Sequence, residues 1–157
     1  MNVPIGVAVV VAVLLAVWVK VAAVLGMPWF VGMIGWACYV AAGRKMKGLS
    51  QVVAAGVAGM AWVAALDMAA LLSGHEELEL VAVGVAALAV LLESRVSLLS
   101  YIPAGLCGIA VMGAGGPMGL MDIPGNTKLG LSFVIGAVLG FVAEWVGGMV
   151  SKRPAGA

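Results

Sequence analysis

Two carboxylates stand inside apolar stretches of this sequence, Asp67 in VAALDMAALL and Glu144 in FVAEWVGG. An ionisable group at membrane depth is costly, and where one is kept it commonly serves an ion or proton pathway. Asp67 and Glu144 are therefore candidate proton-coupling residues. A second reading stays open for both. Each falls within about six residues of the end of its stretch, and a carboxylate at the headgroup boundary is tolerable there.

A second group combines small residues with a proline. Ser100 and Tyr101 precede Pro103, and a proline inside a helix removes a donor and frees a carbonyl one turn earlier. In lipid that carbonyl must find another partner. Ser100, Tyr101 and Pro103 are thus expected to line a polar cavity, with a plain kink as the alternative. Gly105 and Gly108 follow on the same segment, and Gly32, Gly35 and Trp36 lie on an earlier one. Glycines at this spacing let a facing helix or a solute approach the backbone closely. These eight residues make up the expected substrate pathway. The same GxxG spacing also serves helix packing alone.

Other chemistries have little material. Cys38 and Cys107 both fall in apolar segments, where Cys behaves as a small hydrophobe. One His cannot build a zinc site, and Met118 and Met121 without a supporting His or Cys cluster make a weak copper site. No Ser/His/Asp arrangement, phosphate-binding loop or HExxH motif occurs, so no enzyme activity, metal or cofactor is expected. A net charge of +1 provides no field for nucleic acid.

The elements that must hold these residues are set by composition. Of 157 residues 64% are hydrophobic and 10% charged, and the mean hydropathy is +1.21. A soluble domain carries roughly 25% charged residues. Val3 to Val19 and Val96 to Met121 are free of charge and apolar on every face. That pattern gives helices rather than the alternating strands of a barrel. Only Asn2, Val3 and Pro4 follow the initiating Met before the first run, so it is read as a spanning helix rather than a secretory signal.

The fold expected is an all-α polytopic membrane protein of about six transmembrane helices. Their spans are Val3 to Val19 (with an extension to Leu25), Trp29 to Gly43, Ser50 to Leu72, Leu78 to Leu92, Val96 to Gly116 and Leu129 to Val150. A loop from Pro117 to Lys128 precedes the last. Lys and Arg favour cytoplasmic loops. With both termini cytoplasmic, Arg44, Lys45, Lys47, Arg95, Lys152 and Arg153 fall inside, and only Lys20 and Lys128 outside.

The two halves also match one another. Gly32, Gly35, Ala37, Ala41 and Gly43 align with Gly105, Gly108, Ala110, Ala114 and Gly116 at one constant offset, and Gly48-Leu49-Ser50 matches Gly130-Leu131-Ser132. Three helices per unit invert the second unit in the membrane. The expectation is a single transmembrane domain of two inverted repeats, residues 3–73 and 78–151, with a solute site where they meet. In that arrangement Gly32 and Gly35 would face Gly105 and Gly108 across the axis.

GWACYVAAG after the first helix, the KGL that follows it, and SYIPAGLCGIA at the fifth segment give the chain its resemblance to a family. It resembles the YcdZ-like family of bacterial inner-membrane proteins, classed as a domain of unknown function. The likeness implies a multi-span protein of the bacterial inner membrane and carries no activity. The residues themselves point to a channel or facilitator for a small neutral or weakly ionised solute, such as urea, an amide, ammonia or a small monocarboxylic acid. A proton-coupled transporter and a structural membrane subunit are the alternatives. The partners expected are the lipid bilayer, the solute and further copies of the chain in a homo-oligomer.

Overall fold

The computed structural model describes residues 5–43, 45–74, 78–114 and 123–151. Among them the chain forms six helices and no strand: α1 Ile5–Leu25, α2 Trp29–Ala41, α3 Lys45–Ser73, α4 Leu78–Glu93, α5 Ile102–Gly113 and α6 Ile123–Ser151. Three are long and apolar enough to cross a membrane, over Ala8–Leu25, Lys45–Ser73 and Pro124–Met149. The other three are shorter apolar helices. Val24 is 85% exposed and Trp145 63%, and the outer faces of all six helices carry exposed Val, Leu, Met or aromatic residues. Surface of that kind suits lipid, where helix association is driven by close packing of small residues instead of apolar burial.

Three boundaries differ from the sequence reading. α3 begins at Lys45 rather than Ser50, taking in Lys45-Met46-Lys47-Gly48. Charge marked that stretch as loop, but long Lys side chains can reach the interface from a helix end. The break lies one step earlier, at Gly43, whose φ of 82° a side chain would oppose.

α5 begins at Ile102 rather than Val96, because residues 96–99 form turns and Pro103 stands in the first helical turn. Pro there removes no helical hydrogen bond, since the first donors have no intrahelical partner. The freed carbonyl expected one turn earlier does not arise. α6 begins at Ile123, again with Pro124 in its first turn, and so absorbs the end of the expected loop. The rest of that loop, with Met118 and Met121, lies outside the described residues.

α3 and α6 run antiparallel through the centre. Lys45 at the start of α3 meets Glu144 near the end of α6, Gly56 meets Phe133, and the Met60 sulfur lies beside Gly130. α2 packs along α6, and α5 packs along α3, while α1 lies on α6 and α4 on α3. Helices 2 and 5 therefore each lie against the third helix of the other half of the chain. The main core gathers Val31, Tyr39, Val52, Met60, Ala104 and Phe133 around this crossing.

Candidate functional site

Glycine makes the central crossings possible. A Cβ built on Gly35 would fall on the Phe133 carbonyl oxygen and lie 3.2 Å from the Ala137 nitrogen. A Cβ on Gly108 would fall on the Gly56 carbonyl oxygen and lie 3.1 Å from the Met60 nitrogen. The approach is returned from the other side. Gly136 rests on the Gly32 carbonyl, and Gly59 on the Gly105 carbonyl. Gly32 also receives the Trp18 indole of α1, and Gly105 the Val90 side chain of α4.

These pairs keep a fixed relation. Residues of α5 play the part of residues 73 earlier in α2, and residues of α6 the part of residues 77 earlier in α3. The second spacing differs from the Gly48-Leu49-Ser50 match, which would need 82. The contacts thus pair Gly59 with Gly136, and the GLS likeness falls five residues out of step. The geometry also corrects the expected facing. Gly32 and Gly35 do not abut Gly105 and Gly108; each pair abuts the long helix of the opposite half. The reason is steric, since the carbonyl ridge of a long helix fills the groove that a glycine pair opens.

Polar side chains reinforce the same crossings. The buried Ser132 hydroxyl of α6 donates to the Pro28 carbonyl at 2.7 Å, just ahead of α2. Gln51 of α3 donates to the Ser97 carbonyl and to the Ser100 hydroxyl, both at 2.8 Å, just ahead of α5. Ser100 itself donates back to Ser97. Ser100 and Pro103 are exposed and Tyr101 is half-buried, packed against the main core. Neither of the two cavities at Glu144 is lined by these three residues.

Two cavities lie around Glu144. One, of about 420 Å³, is lined by Lys45, Phe141, Glu144, Trp145 and Met149 among others. A smaller one, of about 60 Å³, lies between α1, α2 and α6 and is lined by Val11, Trp36, Tyr39, Gly140 and Glu144. Glu144 borders both. The Tyr39 hydroxyl donates to its Oε2, and the Lys45 main-chain N–H donates to the same oxygen at 3.2 Å. Tyr39 is fully buried, so its hydroxyl needs a partner within the protein, and a carboxylate is a strong one.

Of the residues proposed from sequence, Trp36 and Glu144 are brought to one cavity wall, and Gly32, Gly35, Gly105 and Gly108 to the crossings. Tyr39 joins this wall without a sequence motif of its own. Its place three residues after Trp36 put it on the same helical face, which was the available signal. Asp67 is 2% exposed near the far end of α3. From Lys45, beside Glu144, to Asp67 is about 33 Å along the helix at 1.5 Å per residue. The two carboxylates therefore stand at opposite ends of the molecule.

Known proteins align with this chain over nearly its whole length. The model of one family, described as Protein of unknown function (DUF1097), matches residues 8–148. The chain is 27% identical over 158 residues to the Inner membrane protein YcdZ of Escherichia coli (strain K12), covering 99% of this chain and 92% of that one. No solved structure matches.

Proposed function

The chain belongs to the DUF1097 family of proteins of unknown function, and on that premise we propose that it is a facilitator for a small neutral or weakly ionised solute. It is a helical membrane protein whose relative resides in the inner membrane. The proposal adds six crossings of that membrane, both termini in the cytoplasm, and one transmembrane domain made of two inverted three-helix halves.

The observation that carries the reading is the reciprocal crossing of glycines. α2 and α5, of 13 and 12 residues, span only about 20 Å and about 18 Å at 1.5 Å per residue, short of a bilayer core of about 30 Å. Short, glycine-interrupted segments at matching places in two halves are the usual pointer to a transporter's central site. At both crossings the glycines lie against backbone, so a route along them is closed at those contacts. A facilitator that changes state fits this better than an open channel. Ammonia, urea, short amides and small monocarboxylic acids are the candidate solutes, and a homo-oligomer would surround each route with more protein.

A second reading, proton-coupled transport, is favoured by the Glu144 carboxylate held by Tyr39 at a cavity wall. Uptake into proteoliposomes with and without an imposed proton gradient separates the two. The facilitator reading expects uptake that follows the solute gradient alone. A structural subunit would give no uptake under either condition.

A further inference from the structure

The spacing of 77 that relates α3 to α6 carries Asp67 onto Glu144. It is the same spacing that carries Gly56 onto Phe133, Gly59 onto Gly136 and Met60 onto Ala137, all fixed by contacts that do not involve either carboxylate. The two acidic residues of the described long helices thus share one position in the two halves. Because α3 and α6 are antiparallel, that position occurs once toward each end of the molecule.

The two sites are alike in place and unlike in state. Glu144 is half-buried and borders two cavities, whereas Asp67 is sealed at 2% exposure. Resting on the two-half reading above, we propose that Asp67 and Glu144 are the gate carboxylates of the two mouths of one solute route and reach water by turns from opposite faces. The arrangement described here is the state open at Glu144. If the halves exchange their packing, Asp67 comes to border a cavity at the other face and Glu144 is sealed. Two halves of like sequence supply two such states of similar energy, and a solute that binds both mouths passes between them.

The chemistry at each mouth narrows the solute class. An ionised carboxylate only accepts hydrogen bonds. Both mouths therefore favour solutes that carry N–H donors, such as urea, short amides or ammonia, over monocarboxylates. The mouths differ in one respect. Tyr39, which donates to Glu144 from α2, is matched in α5 by Met112, 73 residues on, and a thioether cannot donate. Glu144 also accepts from the Lys45 main chain and shares a cavity wall with Lys45. The Tyr39 bond therefore favours the state open at Glu144.

The test uses the wild-type chain in sealed vesicles of both orientations. A quaternary, membrane-impermeant carbodiimide is added to one face, and its N-acylurea adducts are located by peptide mass spectrometry. Glu144 should be modified from one face and Asp67 from the other. Urea or acetamide should reduce both modifications, and acetate neither. Tyr39→Phe should raise Asp67 modification by roughly tenfold, the effect of losing one hydrogen bond to a charged group. Modification of both residues from the same face, or none at Asp67 even in Tyr39→Phe, overturns the proposal. Protection by acetate equal to that by acetamide overturns the solute class. Solute uptake without this alternation would leave the facilitator reading standing and end this inference alone, whereas absence of uptake would end both.

Discussion

Gly35 lies against the Phe133 carbonyl just as Gly108 lies against the Gly56 carbonyl, so that one crossing repeats the other with its helices drawn from opposite halves. An added methyl at either glycine must push a backbone aside. Gly35→Ala and Gly108→Ala should each destabilise the protein by about 1–3 kcal/mol, as overpacking does. Thermal unfolding in detergent should show the two losses to be similar. Gly84 faces open space, and Gly84→Ala should stay within about 0.5 kcal/mol of wild type. A large loss at Gly84 or none at Gly35 would show that these crossings do not hold the halves together.

Tyr39 and Glu144 form one unit. Glu144→Ala takes the carboxylate acceptor from a fully buried hydroxyl and should cost about 1–3 kcal/mol. Glu144→Gln keeps an acceptor in the same place, and it should fold much as wild type does, as should Asp67→Asn. Combining Glu144→Ala with Tyr39→Phe should cost less than the two changes added, with a coupling of about 0.5–3 kcal/mol. Strict additivity would mean that the bond contributes nothing.

How far the sequence disclosed this arrangement depended on what carried the signal. Helices 1, 2 and 4 followed from apolar runs ending at Gly26, Gly43 and Glu93, since apolar length is what sets a span in lipid. The sequence starts helix 3 late, at Ser50, because Lys45 and Lys47 look like loop when charge alone is weighed. The sequence reads Pro103 as a mid-helix break because nothing local distinguishes a proline in a first turn from one further along. Matched spacing in the sequence singles out the glycines but not what they face. A glycine match fixes where a backbone can be approached, and only the tertiary arrangement supplies the backbone that approaches. The Tyr39–Glu144 pair spans 105 residues of sequence, and no local pattern joins two residues so far apart.

Orientation is open to direct measurement. With both termini cytoplasmic, single cysteines at Gly74, Leu78 and Thr127 should react with an impermeant reagent added outside intact cells. Cysteines at Met46 and Lys47 should react only after the cells are opened. Labelling of Lys47→Cys from outside would reverse the assignment made from the Lys and Arg count.

The glycine crossings and the transport reading meet in one measurement, the rate of volume change of proteoliposomes exposed to a gradient of urea or acetamide. The account predicts that the wild-type chain speeds swelling well above protein-free vesicles. It also predicts that Gly35→Leu and Gly108→Leu each abolish the gain to a similar degree, while Gly84→Leu leaves it. Swelling no faster than in protein-free vesicles for urea, acetamide, ammonia and acetate alike would contradict it.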